Sequence, residues 1–258
     1  MGERTSYTPG TFCWADLTTP DQDSAKAFYS ALFGWVADDR PIGEGVYYSM
    51  QCIGGREVAA ISLQRQEERE ANVPPRWNSY VAVADADATL ARARELGATV
   101  HAEAFDVFDS GRMGVVEDPQ GAHFAVWQAG SNIGAQLVNA HGALSWDELY
   151  TPDVDASASF YGALFNWTTQ AMEGMPSRYL IIQTEAGRGN GGMTTMEGVP
   201  PAWLVYFGTD DIERSLAQVG ELGGATRMGP IDIGVGTIAV VTDPQGATFA
   251  LYAGRFDD

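Results

Sequence analysis

The segment AFYSALFGW at residues 27–35 recurs as SFYGALFNW at residues 159–167. Four flanking motifs repeat in the same order: DLTTPD (16–21) with ELYTPD (148–153), PPRW (74–77) with PPAW (200–203), ELG (95–97) with ELG (221–223), and DPQGA (118–122) with DPQGA (243–247). Ordered self-similarity of this kind indicates duplication. The sequence therefore predicts two related halves, joined near residues 130–134, where the residues are mostly small and polar.

The repeated segment predicts a helix over residues 21–33. Pro20 suits a helix start, acidic residues at 21 and 23 suit the positive end of the helix dipole, and Gly34 suits the stop. Residues Ala25, Phe28, Tyr29 and Leu32 recur at helical spacing and form the predicted core face.

Strands are predicted around this helix at residues 11–17, 46–52, 57–63 and 77–84, and again, after a helix over 87–96, at 99–104, 111–117 and 123–128. The order is strand, helix and then strands, twice in each half. This order disfavours a doubly wound parallel sheet and predicts an α+β fold with four βαβββ modules. The segment at 187–192, GRGNGG, lacks the ending of a phosphate-binding loop and predicts a hairpin instead.

These motifs resemble those of the vicinal-oxygen-chelate superfamily, which includes glyoxalase I, bleomycin-resistance proteins and extradiol dioxygenases. More narrowly, the chain is similar to tandem glyoxalase-like proteins of actinobacterial type. The resemblance implies two glyoxalase-like domains, at residues 8–130 and 138–256, each with curled mixed sheets around a cavity. It also implies metal ligands on the first and last strands of the modules, usually His, Gln or Glu.

The expected ligand positions hold other residues in this chain. The first-strand position falls on Trp14 and Trp146, and the last-strand position falls on Ala125 and Ala250. A third falls near residues 78–79 and 204–205, which are Asn-Ser and Leu-Val. None of these is a His or a carboxylate, so we expect no metal and no other cofactor. Glyoxalase I activity, which needs a metal, is disfavoured.

A tryptophan followed two residues later by an acid occurs twice, as Trp14 with Asp16 and Trp146 with Glu148. Strand alternation places each pair on one face. An aromatic wall with a buried acid suits a flat ligand, and burial would raise the pKa of the acid for acid–base catalysis. Alternatively, the tryptophans are core residues and the acids lie at the rim. Further expected ligand contacts, or core residues, are Tyr48, Met50, Trp77, Trp127, Tyr179 and Trp203.

The chain has three histidines, at 101, 123 and 141. His101 and His141 are predicted to be solvated. His123 shares a strand face with Ala125 and Trp127, which predicts a position on the cavity face. It is either a general base oriented by Asp16 or a hydrogen-bonded strand residue.

Composition limits the classes of partner. With 34 acidic and 15 basic residues among 258, the formal net charge is −19. This charge disfavours nucleic acid and anionic membranes. Cys13 and Cys52 are predicted to be buried thiols. No signal segment or membrane span is apparent, so we expect a cytoplasmic protein, and the four modules in one chain predict a monomer.

Two functions remain open. The first is a metal-independent protein that binds a small aromatic or apolar ligand, such as a natural product or antibiotic. The second is an enzyme of the same superfamily, a lyase, isomerase or hydroxylase-like protein, that uses Asp16, Glu148 or His123 for acid–base chemistry.

Overall fold

The computed structural model describes residues 2–173 and 177–255. The elements of the first half are β1 (Gly2–Glu3), β2 (Phe12–Thr19), α1 (Gln22–Phe33), β3 (Val36–Gly43), β4 (Val46–Ile53), β5 (Arg56–Leu63), α2 (Gln66–Glu70), β6 (Arg76–Ala82), α3 (Ala86–Glu95), β7 (Thr99–Val107), β8 (Gly111–Glu117) and β9 (His123–Ala129). The linker strand and the second half contain β10 (Leu137–Val138), β11 (Leu144–Tyr150), α4 (Val154–Phe165), β12 (Thr168–Met172), β13 (Tyr179–Gln183), β14 (Gly189–Thr194), β15 (Ala202–Gly208), α5 (Ile212–Glu221), β16 (Ala225–Asp232), β17 (Gly236–Thr242) and β18 (Thr248–Gly254).

Each half forms one curled, eight-stranded mixed sheet. The strand order is β3-β4-β5-β2-β6-β9-β8-β7 in the first half and β12-β13-β14-β11-β15-β18-β17-β16 in the second. In the first sheet β2 pairs with β5 and β6 pairs with β9 in parallel, whereas β2 and β6 pair antiparallel and join the two modules. The α+β class and the two tandem curled sheets that the sequence predicted are confirmed.

The edge strand β3 has no counterpart among the strands that the sequence analysis placed. Its sequence, VADDRPIG, is exposed along its whole length and lacks the alternation of apolar and polar residues that marks a half-buried strand. It is held by its ladder to β4, from Val36 opposite Cys52 to Gly43 opposite Val46. Cys52 faces this exposed edge and is partly exposed, so the prediction of a buried thiol is correct for Cys13 and wrong for Cys52.

The repeated TPD motif supplies the cap of the first helix in each half. Asp21 accepts a hydrogen bond from the backbone nitrogen of Ser24, and Asp153 accepts one from Ala156. The helices end at Gly34 and Asn166, both in the left-handed conformation, with φ of 71° and 58°. The helix therefore begins one residue later than predicted, with Asp21 as the cap itself.

The helix-bearing faces of the two sheets pack against each other, where α1 contacts α5 and α3 contacts α4. Reciprocal hydrogen bonds join the halves. The Tyr29 hydroxyl in α1 donates to Oδ2 of Asp243 at 3.3 Å, and the Tyr161 hydroxyl in α4 donates to Oδ2 of Asp118 at 2.9 Å. Each tyrosine thus binds the DPQG aspartate of the other half, so two of the motifs that reveal the duplication also form the contact between its copies.

Trp77 lies opposite Leu17 and donates to Tyr29 of α1, so Asp16, one residue before Leu17, lies on the other face of the sheet, where the candidate site is found. Within residues 2–173 and 177–255, no helix has both the length and the apolar character needed to cross a membrane.

Candidate functional site: two carboxyl–aromatic cages

In the first half, the Asp16 carboxylate is surrounded by hydrogen-bond donors. Its Oδ2 accepts from the hydroxyls of Tyr80 at 2.7 Å and Tyr48 at 3.0 Å, and its Oδ1 accepts from the Asn78 amide at 2.8 Å. The Trp14 indole donates to the Tyr48 hydroxyl at 2.9 Å. We call these five residues the first cage. The predicted pair of Trp14 and Asp16 is therefore brought together through Tyr48.

Strand register explains this grouping. Asp16 lies opposite Asn78, and Trp14 lies opposite Tyr80, on the antiparallel pair β2 and β6. On the other side of β2, Asp16 pairs with Ala60, which in turn pairs with Met50. Tyr48 lies two residues before Met50, so its side chain is on the same face as Met50.

The second half builds a similar group, the second cage, from Trp146, Glu148, Tyr150, Tyr179 and Tyr206. Oε2 of Glu148 accepts from Tyr179 at 2.8 Å, and Oε1 accepts from Tyr206 at 3.1 Å. The Trp146 indole donates to the Tyr179 hydroxyl at 3.2 Å. The predicted pair of Trp146 and Glu148 thus repeats the geometry of the first cage.

Glycines in β14 make room for the second cage. A Cβ atom on Gly192 would lie 2.1 Å from the Tyr179 hydroxyl, so a larger residue there would displace Tyr179. A Cβ atom on Gly189 would lie 3.6 Å from the Trp146 ring, which is an ordinary contact. The glycine-rich segment predicted as a hairpin covers the end of the β13–β14 turn and the first four residues of β14, and its last glycine positions a cage tyrosine.

The cages differ at two positions. Leu204 stands opposite Glu148, where the first half has Asn78 opposite Asp16. Tyr150 occupies the place that Thr18 has in the repeat. The Tyr150 hydroxyl is buried beside Glu148, whose charge adds to burial in raising the pKa of this hydroxyl, but it makes no hydrogen bond of normal distance and angle with the described residues. A buried hydroxyl without a partner is uncommon, and such an exception needs a specific explanation.

Burial governs the electrostatics of both cages. Asp16 is 5% exposed and Glu148 is 7% exposed. Desolvation raises the pKa of each carboxyl group, although the hydrogen bonds from Asn78, Tyr80 and Tyr48 to Asp16, and from the tyrosines to Glu148, oppose the shift. Burial and the adjacent Asp16 raise the pKa of the Tyr48 and Tyr80 hydroxyls well above the ordinary value, so both remain donors.

The cages differ in the exposure of their tryptophans. Trp14 is 6% exposed, whereas Trp146 is partly exposed. Near the first cage, the Trp127 indole donates to the Asn132 carbonyl at 3.0 Å, which ties the linker to this face. In the second half, Trp146 packs with the partly buried side chains of Met196, Met228 and Tyr252. The two methionines were not predicted, because a lone Met bears no positional signal.

Two predicted contacts lie on the other face of the sheets. The Trp77 indole donates to Tyr29 at 3.0 Å within the first half, and the Trp203 indole donates to Tyr161 at 2.9 Å within the second half. The reason is alternation: Trp77 pairs with Leu17, one residue from Asp16, and so points away from the first cage. The expectation that Trp77 and Trp203 line the cavities is therefore not met, and they belong to the core.

His123 is the first residue of β9, at the end of the strand, and its partner is Glu117 and not Asp16. It pairs with Glu117, its Nε2 lies 3.5 Å from Oε2 of Glu117, and its ring stacks on His101. Burial lowers the pKa of His123. His101 is exposed, as expected, and its Nε2 lies 2.6 Å from Oε2 of Glu117.

The metal-ligand positions implied by the resemblance lie side by side. Trp14, Tyr80 and Ala125 form one row across three strands, as do Trp146, Tyr206 and Ala250. The third position is Tyr80, one residue beyond the predicted pair at 78–79. Each row offers an indole, a phenol and a methyl group. These side chains do not form the imidazole and carboxylate set that a divalent transition metal prefers.

Family models match both halves of the chain. Residues 14–127 match a glyoxalase-like domain, and residues 143–251 match the glyoxalase/bleomycin resistance protein/dioxygenase superfamily. The Mycobacterium tuberculosis protein named "Putative glyoxylase CFP32" is 42% identical over 255 residues, which cover 97% of each chain. The Streptomyces protein named "Anthracycline biosynthesis protein DauV" is 32% identical and covers 96% of this chain and 94% of its own.

Solved structures show the same fold at low sequence identity. A Mn(II)-bound glyoxalase from Novosphingobium aromaticivorans has a TM-score of 0.68 at 16% identity, covering 95% of this chain and 82% of that one. A variant of homoprotocatechuate 2,3-dioxygenase from B. fuscum has a TM-score of 0.66 at 16% identity, covering 99% of this chain and 74% of that one. The chain belongs to the glyoxalase/bleomycin resistance protein/dioxygenase superfamily and consists of two glyoxalase-like domains in tandem.

Proposed function

We propose that the protein binds a small planar aromatic molecule in its carboxyl–aromatic cages, with no metal ion in either cage. The observation that supports this best is the second cage, where Glu148 and two bonded tyrosines lie beside the unpartnered hydroxyl of Tyr150. A polar group of a ligand would give that hydroxyl its missing partner. The partly exposed ring of Trp146 would contact the flat face of the ligand.

The ligand class follows from the chemistry of this face. Trp146, Tyr179 and Tyr252 offer aromatic contacts, and Met196 and Met228 offer side chains that adapt to irregular shapes. Polar groups are few and converge on Glu148, as is typical of small-molecule sites. We therefore favour fused aromatic rings that bear hydroxyl or carbonyl oxygens. The name of the Streptomyces relative, which refers to anthracycline biosynthesis, supports the same class.

The burial of Glu148 also affects which hydrogen bonds its carboxyl group can make with a ligand. Because desolvation raises the pKa of Glu148, its carboxyl group retains a proton to a higher pH than an exposed glutamate does. In its protonated form the carboxyl group both donates and accepts hydrogen bonds, so it suits a hydroxyl or a carbonyl oxygen.

Tyr150→Phe tests this proposal, because the hydroxyl it removes has no protein partner. We expect the variant to bind an anthracycline about tenfold more weakly, which is the cost of one lost hydrogen bond. Its melting temperature without ligand should not fall. Binding is measured by quenching of tryptophan fluorescence, and Tyr47→Phe, at an exposed tyrosine, is the control.

Unchanged affinity in Tyr150→Phe would contradict the proposal for the second cage. Absence of saturable binding by the wild type, both to the anthracycline and to a simpler hydroxylated anthraquinone, would contradict the proposed ligand class as a whole.

A second candidate is an enzyme that uses the cages for acid–base chemistry, as a lyase, isomerase or hydroxylase-like protein. The observation in its favour is the raised pKa of Asp16 and Glu148, since a buried protonated carboxyl group is a suitable general acid. Glu148→Gln would then retain ligand binding and lose conversion of the bound ligand, measured by mass spectrometry. Full turnover in both Asp16→Asn and Glu148→Gln would exclude this function.

We also propose that the protein acts as a monomer. Each curled sheet is formed by two modules of the same chain, so no second copy is needed to complete a cage. Light scattering should give a mass near 27.7 kDa. A stable dimer would contradict this part of the proposal.

A further inference from the structure

Three potential metal ligands lie together on strands β7, β8 and β9 of the first sheet. Glu117 in β8 pairs directly with His123 in β9. His101 lies in β7, where the register shifts between Val100 and Ala102. A β-bulge of this kind leaves one extra residue in a strand and redirects its side chain. The extra residue here is His101, and its side chain reaches Glu117.

The distances suit one shared ion. Oε2 of Glu117 lies 2.6 Å from Nε2 of His101 and 3.5 Å from Nε2 of His123. The three ligand atoms all lie within 4.8 Å of one another. Two ligands of a tetrahedral zinc ion, each about 2.0–2.1 Å from the metal, are roughly 3.3 Å apart. Small side-chain rotations would therefore place all three atoms around one ion.

We propose that His101, Glu117 and His123 bind one divalent transition-metal ion of the zinc class. Two imidazoles and one carboxylate are ligands that Zn²⁺, Ni²⁺ and Cu²⁺ accept, whereas Mg²⁺ and Ca²⁺ prefer oxygen ligands alone. All three side chains are partly exposed, so water can complete the coordination. The site shares no residue with either cage and does not depend on the function proposed for them.

The second half shows that this cluster is not a requirement of the fold. Its sheet has the same register shift between Thr226 and Met228, so the bulge is duplicated. The residue in this second bulge is Arg227, and the pair that corresponds to Glu117 and His123 is Thr242 and Thr248. The ligands therefore belong to the first half alone, which predicts one ion for each chain.

Calorimetric titration of the full, untagged chain with Zn²⁺, in excess Mg²⁺ to saturate the acidic surface, tests the proposal. We expect one Zn²⁺ per chain. His101→Asn, His123→Asn and Glu117→Gln should each weaken binding at least about tenfold. His141→Asn is the matched control, because His141 lies outside the cluster, and it should bind Zn²⁺ as the wild type does.

Electron paramagnetic resonance with Cu²⁺ gives a second readout that identifies the ligands. The wild type should show two coordinated imidazole nitrogens, and His101→Asn should show one. The proposal is overturned if Zn²⁺ does not bind stoichiometrically, if the three ligand variants bind it as tightly as His141→Asn, or if the copper spectrum lacks nitrogen ligands.

Discussion

Replacing Asp147 by asparagine should stabilise the protein at neutral and alkaline pH. Asp147 follows Trp146 in β11 and points to the contact between the halves, where it is 1% exposed. Its Oδ1 accepts a hydrogen bond from the Ser79 hydroxyl of the other half at 2.5 Å. An asparagine side chain has nearly the same shape and retains an oxygen that can accept this bond.

The magnitude follows from the pKa. Burial raises the pKa of Asp147 from 3.8 to about 7, and the hydrogen bond from Ser79 only partly opposes this. Each pKa unit corresponds to about 1.36 kcal/mol, so the ionised carboxylate costs the folded state up to about 4 kcal/mol. Because the folded state holds a proton that the unfolded chain releases, stability falls as the pH rises from about 4 to about 7 and is level above that range.

Urea unfolding at pH 4 and pH 8 measures the effect. Asp147→Asn should resemble the wild type at pH 4 and exceed its free energy of unfolding at pH 8, by up to about 4 kcal/mol. Asp16 and Glu148 titrate in the variant as they do in the wild type, so the difference in unfolding free energy between the two proteins reports on Asp147 alone. Asp109→Asn, at an exposed turn, is the control and should change little. The reasoning is refuted if Asp147→Asn is no more stable than the wild type at pH 8.

Two further predictions concern packing. Gly192→Ala should displace the Tyr179 hydroxyl and lower the free energy of unfolding, measured by thermal unfolding, by about 1–3 kcal/mol. Gly189→Ala should lower it less, because a Cβ atom there would make an ordinary contact. Equal losses in the two variants would contradict the role assigned to Gly192. Tyr161→Phe should lose about 1–3 kcal/mol, because Asp118 loses its hydrogen bond from the other half and the Trp203 indole loses its acceptor. Denaturant unfolding that shows no loss would argue against this contact.

The duplicated motifs made most of the fold predictable. Helix periodicity, caps and turns recur at matching positions, so each half supports the interpretation of the other. The edge strand β3 was not predicted because its residues are all exposed and are held by backbone pairing to β4. Such pairing is difficult to predict from local sequence, because no buried face requires apolar residues at alternate positions.

The candidate site was predictable only where its residues are close in sequence. The spacing of Trp14 and Asp16 places both on one face, but their link through Tyr48 spans several strands. Trp77 was expected on that face because its position in the strand register was unknown, and one residue of offset reverses the direction of a side chain. The cluster of His101, Glu117 and His123 depends on a bulge that no sequence signal marked.

A crystal structure of the protein grown with an anthracycline tests the central claim most directly. The account predicts a planar ligand against Trp146, with one of its oxygens within hydrogen-bonding distance of the Tyr150 hydroxyl and no metal ion coordinated by cage residues. A ligand bound only outside both cages, or a divalent ion held by Asp16 or Glu148, would contradict it.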